Sequence, residues 1–132
     1  MNKLSGNITQ IQQSGAIMLI DVNVDGQGFS AMLIDSASKP EWLEIGKTVN
    51  LVFKETEVSL AKNLQGKISM RNRLQCKVVT IERGELLSKV NLQFGCYLIA
   101  SAITTRSVDS LELQNDDEVI ALIKANEISL MC

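Results

Sequence analysis

The chain has 132 residues, with 13 Lys+Arg against 15 Asp+Glu and no histidine, a length that suits one domain or two very small ones. Without histidine, Ser-His and Cys-His nucleophilic catalysis and most zinc hydrolase sites are excluded, and a net charge of −2 gives no global field for holding a polyanion. The five aromatic residues, Phe29, Trp42, Phe53, Phe94 and Tyr97, are few for the stacking platforms that single-stranded nucleic acid requires.

The chain repeats itself. A shift of 70 positions aligns, without a gap, Asn2 with Asn72, Leu4 with Leu74, Ile11 with Ile81, Leu43 with Leu113, Val49 with Val119, Lys54 with Lys124 and Glu57 with Glu127. The chain therefore divides into two copies, residues 1–62 and 70–132, joined by a polar linker over residues 63–69.

In the first copy, Ser14-Gly15 marks a turn, and Ile20, Val22 and Val24 alternate with Asp21 and Asn23 as in a half-buried strand. Asp25-Gly26-Gln27-Gly28 then supplies residues that tolerate the positive φ of a hairpin. A strand over residues 29–34 follows, then one or two helical turns over residues 38–44, where Ser38 precedes Pro40 and Glu41. Gly46-Lys47 turns into a strand over residues 48–53, and a short strand over residues 58–61 closes the copy.

The second copy repeats this order. Arg83-Gly84 leads into alternation over residues 89–94, Gly95 turns the chain, and a strand covers residues 99–104. Ser107 with Asp109 caps a helical turn over residues 107–111, and Asn115-Asp116-Asp117 leads to strands over residues 118–124 and 128–131. The expected class is all-β: two tandem small OB-like five-stranded barrels, each with one short helical turn. Units of this size bury only about 60% of their unfolded surface, so packing within and between chains is expected.

Cys76, Cys96 and Cys132 form no C-x-x-C pair; they are expected to pack as small hydrophobes in a reducing cytoplasm, not to form disulfides or a metal site. The apolar run 16–20 ends at Asp21 and is too short for a signal-peptide core or a membrane span. Asp116-Asp117-Glu118 reads as a polar turn, and Trp42 and Phe53 as core or interface rings.

The stretch Ile68-Ser69-Met70-Arg71-Asn72-Arg73-Leu74-Gln75-Cys76-Lys77-Val78 resembles the S-A-R-N-x-L-x-G-x-V opening of the Mop, or molbindin, family of TOBE-type oxyanion-binding domains. The resemblance continues through Ile103-Thr104-Thr105-Arg106-Ser107-Val108 and through residues 117–125. It implies a non-catalytic protein that binds molybdate, or tungstate, at sites between domains. Ser69, Arg71 and Asn72 would lie on one side of a site and Thr104, Ser107 and Lys124 on the other, with Asn72 fixing backbone in place of touching ligand. It also implies a ring of about six domains, hence a trimer of tandem chains.

The chemistry of that set is sound independently of the family. A tetrahedral dianion only accepts hydrogen bonds, so it needs converging hydroxyls, amides and cations; Ser69, Arg71, Thr104, Ser107 and Lys124 supply them, with Ser107 at the expected helix start. None titrates near neutral pH.

The first copy departs from the pattern. Ile34 stands in place of Thr104 and Ala37 in place of Ser107, while Lys54 keeps the basic position and Ser36 offers a hydroxyl. Lys54 and Ser36 are therefore a candidate second half-site, and fewer sites than domains are expected. In the second copy Cys76 replaces the family's glycine and Met70 its alanine.

The leading expectation is a cytoplasmic oxyanion-binding protein serving storage or homeostasis, without nucleic-acid or membrane partners. A ligand-sensing module of a molybdate-responsive regulator or transporter is the alternative, and an OB-type nucleic-acid module follows only from fold analogy.

Overall fold

A computed structural model describes residues 1–34 and 39–132. Apolar and polar residues alternate along β1 (Asn2–Ser14) and β6 (Asn72–Glu82), so every second side chain at their starts turns inward. Each is followed by a hairpin, β2 (Ile17–Val24) with β3 (Gln27–Leu33) and β7 (Leu87–Phe94) with β8 (Tyr97–Thr104). Then come β4 (Thr48–Phe53) and β5 (Ser59–Ala61) in the first copy, and α1 (Thr105–Ser110), β9 (Glu118–Ile123) and β10 (Ser129–Met131) in the second. Asp25 and Gly26 make the first hairpin turn with φ of 49° and 89°, the left-handed pair that a two-residue turn between twisted strands requires.

The sheets have the orders β10-β4-β1-β2-β3 and β5-β9-β6-β7-β8. The expectation that each copy is closed by its own last strand is thereby corrected: β5 pairs with β9, and β10 pairs with β4. A 3₁₀ turn, Glu55–Glu57 in one copy and Ala125–Glu127 in the other, carries the chain across to the opposite sheet. On arrival the first crossing is anchored by the buried Ser101 hydroxyl, which donates to the Val58 carbonyl at 2.6 Å.

Two helical expectations also change. Ser38 and Ser36 lie outside the described residues, and residues 39–44 form no helix; a turn with the Leu43 N–H on the Pro40 carbonyl at 3.1 Å takes its place. In the second copy the helix starts at Thr105, not Ser107, because Thr104 is extended and its hydroxyl accepts the Ser107 N–H at 3.0 Å.

The apolar faces of both sheets form one continuous core, in which Leu4, Ile20, Leu51 and Phe53 join Leu74, Val90, Leu92 and Ile123. Phe29 and Phe94, one from each copy, meet edge to face with centroids 5.9 Å apart. Trp42 packs half-buried on this core.

Two asparagines sew the copies together. The buried Asn2 side chain accepts from the Ala100 N–H and donates to its carbonyl, both at 2.8 Å. Its counterpart Asn72 accepts from the Ser30 N–H at 2.7 Å and donates to the Ser30 carbonyl at 2.9 Å and the Ile123 carbonyl at 3.1 Å. Each amide thus satisfies an edge residue of the other copy. Substituting Asn72→Ala leaves those Ser30 and Ile123 groups unpaired in a closed interior, and thermal unfolding should show a loss of about 2–4 kcal/mol; a loss below about 0.5 kcal/mol would mean the bridge is dispensable.

Candidate oxyanion site

The structure splits the expected donors into two groups. Asn72 lies opposite Ile123 where β6 begins and β9 ends, so Arg71 and Lys124, each one residue further out, are neighbours at the same end of the sheet. Both are exposed, as is Ser69. Lys124 is extended and immediately precedes the turn Ala125–Glu127. Asn72 is wholly buried and spends its amide on backbone.

Thr104 and Ser107 form the other group. Thr104 Oγ1 donates to Ser107 Oγ at 2.8 Å while accepting the Ser107 N–H, so the amide expected to face an anion is already used. What Ser107 offers is its hydroxyl proton, which its role as acceptor from Thr104 leaves free. Thr104 lies opposite Leu87 at the start of β7, beside the far end of β6 from Arg71. The 11 residues of β6, about 35 Å of extended strand, separate the groups.

One member of each group lines a groove. Arg71 lines one of about 320 Å³ with Thr9, Asp21 and Ser30 of the first copy, and Asp21 is already engaged by the Ser30 hydroxyl at 3.0 Å. Thr104 lines one of about 510 Å³ with Glu85, Leu86, Thr105, Arg106 and Asp109. Arg106 brings a cation to the hydroxyl pair that the reading by residue type passed over, although it stands between Thr104 and Ser107 in the quoted motif. Lys54, the remaining candidate, is exposed beside the turn Glu55–Glu57.

Asp117 is a structural carboxylate. It accepts the Gln114 N–H at 2.9 Å and the Lys62 ammonium at 3.0 Å, and these hydrogen bonds hold it below the usual aspartate range. No cluster of potential metal ligands occurs among the described residues.

Cys76 is buried, and burial pushes its thiol up to about 12, against a smaller opposite effect of the Ala121 backbone. It therefore carries no thiolate at neutral pH. A thiol reagent on the native chain should modify the exposed Cys96 and Cys132 and spare Cys76; equal labelling of all three would refute this placement.

The two 3₁₀ turns approach each other through Glu57 and Glu127. Burial, a hydrogen bond with Glu57 and the Glu57 charge raise the Glu127 carboxyl above its ordinary range, against the pull of Lys124. A carboxyl raised on folding contributes stability at low pH that is lost as pH rises through its folded value. Glu127→Gln should therefore melt above wild type at about pH 8, with the gap narrowing toward about pH 4; a gap independent of pH would show that the two carboxyls do not interact.

The comparisons with known proteins bear on the two-copy fold and its family. Residues 68–130 match the TOBE domain. A probable molybdenum-pterin-binding protein of Haemophilus influenzae is 36% identical over 63 residues, 47% of this chain and 91% of that protein. The molybdenum import ATP-binding protein ModC of Brucella abortus is 41% identical over 78 residues, 58% of this chain, but the match spans only 22% of that protein. Among solved structures, the cytoplasmic molybdate-binding protein ModG with molybdate bound superposes with a TM-score of 0.93 at 26% identity, covering 98% of this chain and 94% of that one. A molybdate-binding protein from Sporomusa ovata matches half of the chain, 51%, at 36% identity and a TM-score of 0.50. A relative matched almost end to end and a two-domain structure superposed over nearly its whole length place the chain in one family: it belongs to the TOBE-domain proteins of Mop type, in their tandem form.

Proposed function

We propose that this chain binds molybdate, with tungstate as an equivalent ligand, without catalysing a reaction, and serves cytoplasmic storage or homeostasis of the oxyanion. The site unites Ser69, Arg71 and Lys124 of one chain with Thr104 and Ser107 of another. The domain units are residues 1–62 and 70–132, with residues 63–69 as the linker.

The observation that carries this reading is the separation of two prearranged donor groups at opposite ends of the second copy. One group offers two cations and a hydroxyl, the other the free hydroxyl proton of Ser107, oriented by Thr104, with Arg106 alongside. Neither alone encloses a tetrahedral dianion, and together they match its charge and its need for donors. The bound ModG structure and the names of the smaller relatives support molybdate as the ligand.

Assembly follows from the same split. Leu86 and Leu87, neighbours at the start of β7, are 84% and 57% exposed, and a pair of exposed apolar side chains beside the Thr104 groove suits cover by a partner chain. A trimer brings the ends of different chains together. The ModC match, in which this segment is a small part of a larger protein, favours a ligand-sensing module as the second reading.

Titration calorimetry with molybdate, tungstate and sulfate tests the proposal. Molybdate and tungstate should bind with Kd at or below tens of micromolar, and Lys124→Ala should weaken them by at least about 10-fold through loss of a charge-assisted bond. No heat beyond the sulfate control would end the reading, and a stable monomer by light scattering would end the intersubunit site.

A further inference from the structure

The two copies differ in charge immediately after their corresponding lysines. In the 70-residue register Lys54 corresponds to Lys124, but the next residue is Glu55 in the first copy and Ala125 in the second. Glu55 begins the 3₁₀ turn that crosses to the second sheet. Its carboxylate Oε2 lies 3.7 Å from the ammonium of Lys89 on β7; the counterpart of Lys89 in the first copy is Leu19.

Lys54, Glu55, Thr56, Leu87 and Ala102, with Met1, line a groove of about 330 Å³ between this turn and the β7–β8 hairpin. It adjoins Thr104, which lies opposite Leu87 in the hairpin, but it is lined by neither Thr104 nor Ser107 and so does not draw on the hydroxyl pair of the Lys124 site. Without Glu55, Lys54 and the Met1 ammonium of this groove, with Lys89 beside it, would stand as cations with no carboxylate among them, next to the Thr56 hydroxyl. A half-exposed carboxylate in their midst neutralises that field and repels an incoming dianion.

We propose that Glu55 is a built-in counter-anion that closes the first copy's locus to oxyanions and confines binding to the Lys124 locus. It is a specificity-determining residue of the tandem chain. Where the second copy has Ala125 beside Lys124, the first has a carboxylate beside Lys54 that is also ion-paired with Lys89 and the N-terminal ammonium, both at 3.7 Å. The inference rests on the reading of Lys124 as an oxyanion ligand, and its test separates the two.

Molybdate stoichiometry is measured by calorimetry on the full chain for wild type, Glu55→Gln and Glu55→Ala. Glutamine keeps the shape and removes the charge, and alanine reproduces the second copy. Wild type should bind one molybdate per chain, sensitive to Lys124→Ala and insensitive to Lys54→Ala. Both Glu55 variants should approach two per chain, and a further Lys54→Ala should return them to one. Wild-type binding at the Lys124 locus with no gain in either Glu55 variant overturns this inference alone. The same holds for a wild-type chain that already binds a second molybdate through Lys54. A wild-type chain that binds no molybdate overturns the functional reading and the inference with it.

Discussion

The exchange of the closing strands between the two sheets sets the geometry of everything else. With β5 completing the second sheet and β10 the first, neither copy has an independent interior, and the core runs through both. The Asn2 and Asn72 amides reinforce the same junction from the other direction, by occupying backbone groups of the opposite copy. Because the crossing segments start at Lys54 and Lys124, the cations are fixed where the two copies meet and not on loops that move independently.

Most of the fold was legible because period-two patterning survives in both copies. The strand over residues 48–53 coincides with β4, and Asp25-Gly26 makes the expected turn. The exchange was not legible. Val58-Ser59-Leu60-Ala61 and Ile128-Ser129-Leu130-Met131 are so alike that either could complete either sheet, and only the direction taken by the 3₁₀ turns chooses between them. The helix start was misplaced by the presence of two hydroxyl residues three positions apart, Thr104 and Ser107, each able to cap; the extended backbone of Thr104 decides it.

For the candidate site, the residue types were readable and their grouping was not. Sequence places Arg71 and Thr104 in one motif series, yet the β6 strand holds them apart, and that separation is what makes a partner chain necessary for the proposed site. The identities Asn2 with Asn72 and Glu57 with Glu127 were visible in the repeat, but their meaning was not. Both pairs sit at the junction of the copies, where Asn2 and Asn72 bond backbone of the opposite copy and Glu57 meets Glu127.

The central claim is that the oxyanion is held by halves contributed by different chains, and mixing of variants tests it most directly. One variant carries Arg71→Ala and Lys124→Ala, the other Thr104→Ala and Ser107→Ala, each with an unchanged circular dichroism spectrum. Neither alone should bind molybdate. After dissociation and random reassembly of equal amounts, about a quarter of the sites should combine two intact halves and bind with wild-type affinity. Absence of any recovery in a mixture shown to contain hetero-oligomers would contradict the account.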